Sequence, residues 1–93
     1  VPRAGVSGPG SLHRLRTRAI RRDAALAAVL RRLRTDRGLS QEAVAHRADI
    51  SFTTLAKIEL GQSSPAWATV RAIARALGVT MGELGSAIDA EDV

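Results

Sequence analysis

The sequence has no cysteine and no tyrosine, and only one tryptophan, one phenylalanine and one methionine in 93 residues. Without cysteine there is no disulfide framework and no thiolate metal site; the absence fits a reducing cytoplasm. Long apolar runs are missing as well. None approaches the roughly 18 residues that a membrane span needs, so no membrane partner is expected. The N-terminus is basic, but no apolar segment follows it, so it does not read as a secretory signal. Strand-like alternation is absent. His13 and His46 are far apart and neither sits in a metal-ligand spacing. Gly5, Gly8 and Gly10 follow no strand and do not make a dinucleotide fingerprint. No serine lies in a nucleophile-elbow context, and a small helical domain leaves little room for a large pocket. These absences argue against an enzyme and call for no cofactor and no metal.

What the chain has is positive charge at one end. Residues 1–37 hold ten arginines against Asp23 and Asp36, a net charge of +8. Residues 38–93 hold Arg47, Lys57, Arg71 and Arg75 against seven acidic groups, a net −3. A basic arm on a near-neutral body points to a polyanion, nucleic acid before membrane. The bland alternative is a solubilising tail.

Residues 1–22 are expected to be a flexible basic arm, rich at first in glycine and proline and then in arginine. A helical domain is expected over 23–88 and an acidic, fraying tail over 89–93. Asp23 is a plausible cap for a first helix over 24–36, where Leu26, Val29, Leu30 and Leu33 form one stripe while Arg31, Arg32 and Thr35 face away. Gly38 stops it. Ser40 caps a second helix over 41–47, with Val44, Ala45 and Ala48 inward. After a turn at 48–50, Ser51 caps a third over 52–60, buried through Leu55, Ile58 and either Ala56 or Leu60, and ended by Gly61. Pro65 suits the first turn of a fourth helix over 66–77, with Val70, Ile73, Ala74 and Leu77 at i, i+3, i+4 and i+7. Thr80 caps a fifth over 81–88, with Leu84 and Ile88 inward.

The stretch 40–61 is the functional candidate. A DNA major groove admits one α-helix, and this stretch offers two short helices in close approach at Ala45 and Ala48. On the third helix, Phe52, Thr53, Ala56 and Lys57 share the outward side. Thr53 can meet a base edge or a thymine methyl, Lys57 can reach guanine or a phosphate, and Phe52 can pack on thymine methyls or on its own protein. Gln41 opens the second helix, where free N–H groups favour an anion; it suits either a phosphate clamp or simple solvation.

These residues resemble the Cro/C1 (XRE) family of helix-turn-helix domains. The likeness lies in Leu33-Arg34, Gly38-Leu39-Ser40-Gln41-Glu42, Ala45, Ile50-Ser51, Ile58-Glu59, Gly61, Pro65, Ala76-Leu77-Gly78-Val79 and Glu83-Leu84, and it covers roughly residues 26–88. It implies an all-α, compact five-helix, lambda-repressor-like domain. By position it implies that Phe52, Thr53 and Lys57 read bases, that Gln41, Thr54, Gln62 and Ser63 meet phosphates, and that Arg34 and Glu59 form a structural ion pair. Two departures stand out. Asp49 occupies the turn position that is usually glycine, where φ > 0 is required. Phe52 stands where polar readers are common.

The arginines at 14, 16, 18, 21 and 22 (Arg14, Arg16, Arg18, Arg21, Arg22) lie outside the resemblance and suit an arm on phosphates or in a minor groove. The function expected is a sequence-specific transcriptional regulator, a repressor by preference, that acts in the cytoplasm. It would bind double-stranded DNA as a homodimer whose contacts use Val79, Met81, Leu84 and Ile88. Its alternatives are an antitoxin with a toxin as protein partner, a restriction–modification controller, or an adaptor without DNA binding. Trp67 reads equally as part of the core or as an exposed contact.

Overall fold

A computed structural model describes residues 24–92. The arm arginines Arg14, Arg16, Arg18, Arg21 and Arg22, the cap expected at Asp23 and the terminal Val93 lie outside them. The described residues form five α-helices and no strand: α1 over 24–36, α2 Gln41–Ala48, α3 Phe52–Glu59, α4 Trp67–Leu77 and α5 Met81–Asp92. Serine hydroxyls start the central pair. Ser40 Oγ accepts from Ala43 N and Ser51 Oγ from Thr54 N, each at 3.0 Å. Each satisfies an amide that has no partner within its helix.

The core draws on every helix. Val29 and Leu30 of α1 meet Val44, Ala45 and Ala48 of α2, Leu55 and Ile58 of α3, Val70, Ile73, Ala74 and Leu77 of α4, and Leu84 of α5. Leu55 and Ile73 are fully enclosed, and burying such a side chain stabilises the fold by about 1.5–3 kcal/mol. Among α2 to α5 the broadest packing is α2 on α4, followed by α2 on α3.

Several boundaries differ from the expectation. α2 runs to Ala48, one residue further than 47, and α3 stops at Glu59. Leu60 follows as its C-cap and is 67% exposed, so Ala56, half-buried, is the one that faces the core. Pro65 is not in the first turn of α4. The first i to i+4 bond runs from Val70 N to Ala66 O, so Ala66 is the N-cap and Pro65 precedes it. α5 continues past Ile88 to Asp92 instead of fraying. Acidic groups are unfavourable at a helix C-terminus, and the compensation comes from far away in the chain. Arg32 NH1 donates to Glu91 Oε1 at 3.0 Å, tying α5 back to α1. That exposed pair is worth less than about 1 kcal/mol.

Candidate nucleic-acid interface

The turn between α2 and α3 sets their relative orientation. Asp49 adopts φ 58° and ψ 45°, the left-handed conformation that the sequence fills with aspartate in place of glycine. Ile50 N donates to Ala45 O at 3.0 Å across it. At the far end of α3, Gly61 has φ 72°, and a Cβ there would lie 3.6 Å from the Ala24 Cα. That distance is ordinary van der Waals contact, so α1 would tolerate a Cβ, and glycine is favoured here by its left-handed backbone alone.

Glu59, at the end of α3, is buried to 2% exposure, and donors from two helices converge on it. Arg34 Nε donates to Oε2 at 2.8 Å and Arg34 NH2 to Oε1 at 3.0 Å, a bidentate ion pair. Gln41 Nε2 donates to the same Oε1 at 3.0 Å. Arg34 NH1 reaches the Leu39 carbonyl at 2.9 Å, which also fixes the turn before α2. Arg31 NH1 donates to the backbone carbonyl of Glu59 at 2.7 Å. Thus α1 grips α3 by both the carboxylate and the last-turn carbonyl of one residue.

Arg31 faces away from the apolar stripe of α1, as expected, and stays exposed; its bond to the end of α3 is a contact that expectation did not include. The signal was present: three residues before Arg34, it lies on the same helical face. A correction concerns Leu84. It is 1% exposed and belongs to the core, so it is unavailable for a contact between subunits; Val79, Met81 and Ile88 remain half-buried against that core.

The outward side of α3 carries Phe52 at 49% exposure, with Thr53 and Lys57 exposed beside it. None of these three side chains makes a hydrogen bond among the described residues. Thr54 Oγ1 accepts from Ser51 Oγ at 2.7 Å, which leaves its own hydroxyl hydrogen to donate elsewhere. Gln62 is exposed and its backbone N–H bonds Lys57 O at 2.9 Å; Ser63 is half-buried. Trp67 is 67% exposed, which settles its place outside the core. Gln41 is half-buried with its amide turned to Glu59; a primary amide has a second N–H. Among the described residues no group of three or more histidines or acids could hold a metal, and no helix is long and apolar enough to cross a membrane.

A family model described as a helix-turn-helix domain matches residues 25–86. The chain is similar to the crystal structure of the restriction–modification controller protein C.AhdI from Aeromonas hydrophila, at 31% identity and TM-score 0.65, over 67% of this chain and 94% of that one. It is also similar to the clp gene regulator ClgR from Corynebacterium glutamicum, at 22% identity and TM-score 0.73, over 76% of each chain. The controller protein C.Esp1396I aligns at 18% identity and TM-score 0.72, over 75% of this chain and 90% of that one. No curated protein matches the sequence.

Proposed function

Because this chain belongs to the helix-turn-helix domain family, of the Cro/C1 (XRE) type, we propose that it is a cytoplasmic, sequence-specific transcriptional repressor. The observation that carries the reading is the unbonded outward face of α3, with Phe52, Thr53 and Lys57 presented by a helix that the rest of the domain braces. In this reading α3 enters the major groove. Lys57 donates to guanine O6 or N7, Thr53 meets an adjacent base edge, and Phe52 packs on thymine methyls. The second N–H of Gln41 donates to a phosphate while Glu59 holds the first. The backbone clamp and the reading helix are thereby joined through one carboxylate. Thr54, Gln62 and Ser63 add phosphate contacts at the two ends of α3. The arm arginines Arg14, Arg16, Arg18, Arg21 and Arg22 supply charge that the reading surface lacks.

Two copies, joined along the half-buried apolar edge of Val79, Met81 and Ile88, would place two recognition helices one DNA turn apart (about 34 Å) on a palindromic operator. The similarity to C.AhdI favours one specific version, a controller that regulates its own operon in a restriction–modification locus.

The test is selection of bound fragments from genomic DNA, followed by titration of the Lys57→Ala variant. The selected sites should share a palindrome. Lys57→Ala should weaken binding to it by about 1–3 kcal/mol, with relaxed preference at one base pair of each half-site. Loss of binding to every fragment at low salt would instead mark the chain as an adaptor.

A further inference from the structure

We propose that the groove between α2 and the end of α4 is a binding site for a multiply charged phosphate anion, separate from the surface that faces DNA. The groove is an open concavity of about 610 Å³, within the range of small-ligand sites, although a domain of this size gave little reason to expect a large pocket. Arg37, Arg47 and Arg75 line it over a floor of Leu39, Leu77 and Gly78. No lining residue comes from α3 or from the loop after it.

The three arginines come from three different places in the chain. Arg37 follows α1, Arg47 lies in the last turn of α2 and Arg75 in the last turn of α4. A cation near a helix C-terminus complements the dipole of that helix, which explains each arginine singly. It does not explain why three like charges share one concavity, where they repel one another. Their counter-charges are few. Among the described residues neither Arg47 nor Arg75 has an ion pair or a side-chain hydrogen bond. Arg37 bonds the Leu33 carbonyl at 3.2 Å, and its charge also acts on Glu83, whose carboxylate is already held by Thr80. The groove therefore keeps an excess of positive charge.

The chemistry of the guanidinium selects the ligand. Its planar fork matches phosphate oxygens two at a time, and three forks need more than one phosphate group to satisfy them. Space is available as well, because a Cβ added at Gly78 would meet nothing within 4 Å. The apolar floor of Leu39 and Leu77 suits the uncharged body of such an anion. Two sources share this chemistry: a free polyphosphate compound, or phosphates of a nucleic acid backbone passing the side of the domain.

The experiment uses the full chain, the Arg47→Ala/Arg75→Ala double variant and, as control, Arg71→Ala, which removes an exposed arginine of α4 outside the groove. Each is titrated with inorganic pyrophosphate by calorimetry, and the salt dependence of DNA binding is measured alongside. We expect the double variant to bind pyrophosphate on the order of tenfold or more weakly than wild type, while Arg71→Ala matches wild type. A reduced DNA salt slope in the double variant, by about 0.9 per lost contact, identifies the backbone as the source. An unchanged slope with weakened pyrophosphate binding identifies a free anion. The proposal is overturned if wild type and double variant share both the pyrophosphate isotherm and the salt slope, or if Arg71→Ala loses as much as the double variant.

Discussion

Replacing Arg34 with methionine should remove a large part of the domain's stability, and the size of the effect follows from the geometry around Glu59. The carboxylate is 2% exposed and accepts three N–H bonds, two of them from Arg34. Arg34→Met keeps the aliphatic volume and removes the charge, so Glu59 stays buried with Gln41 as its remaining side-chain donor. Breaking a buried pair from one side costs about 3–5 kcal/mol. A domain of this size holds only about 3–10 kcal/mol in total. Glu59→Leu should cost less, about 2–3 kcal/mol, because Arg34 retains its bond to the Leu39 carbonyl and its side chain is 14% exposed. In the double variant Arg34→Met/Glu59→Leu no uncompensated charge remains. Its main losses are the partners of Gln41 and of the Leu39 carbonyl, about 1–2 kcal/mol. The two substitutions should therefore be coupled by at least about 3 kcal/mol. Urea unfolding followed by far-ultraviolet circular dichroism measures this directly. With an m-value near 1 kcal/mol/M, the Arg34→Met midpoint should fall by about 3–5 M, and the double variant should recover most of the shift. A single-variant loss below about 1 kcal/mol, as for a surface pair, would refute the reasoning. So would a double variant as unstable as the two singles added together.

Two further predictions concern the caps. Asp49→Gly relieves a left-handed backbone at a non-glycine residue and should raise stability by about 0.5–1 kcal/mol, seen as a melting temperature higher by about 2–8 °C; an equal or lower value would show that the aspartate is unstrained there. Glu83 accepts from the Thr80 backbone N–H at 2.8 Å, and that bond, with the Thr80 hydroxyl and the nearby Arg37, holds its carboxyl below the ordinary glutamate value. A depressed carboxylate contributes stability that is fully present above its unfolded value and is lost as the pH falls through the folded one. Glu83→Gln, which stands close to the protonated form, should therefore lower the melting temperature slightly at neutral pH, leave it nearly unchanged at the acid limit and so flatten the acid side of the profile, whereas parallel profiles would remove this capping box from the acid response.

Much of the fold was legible because it depends on neighbours along the chain. The spacing of Val70, Ile73, Ala74 and Leu77 predicts the buried stripe of α4 without any knowledge of its partners, and all four are buried. Serines at 40 and 51 and glycines at 38, 61 and 78 mark ends through local backbone chemistry. What was not legible depends on pairs distant in sequence. The extension of α5 to Asp92 accompanies a bond between Arg32 and Glu91, 59 residues apart. Leu84 was assigned to a subunit contact, although its periodicity placed it inward equally well; only the packed core decides that. The hold of Arg31 on the Glu59 carbonyl and the turn of the Gln41 amide toward its carboxylate need the angle between α1, α2 and α3, which no local pattern encodes.

The brace at Glu59 has an implication for redesign. Arg31, Arg34 and Gln41 hold α3 through a residue at its C-terminal end, while Phe52, Thr53 and Lys57 have no hydrogen bond to that frame. On the proposed reading, the domain is thus divided into a fixed chassis and an exchangeable reading head. Rewriting those three positions in combination, as a library, would leave the brace at Glu59 intact, so a new target sequence would become chiefly a problem of surface chemistry.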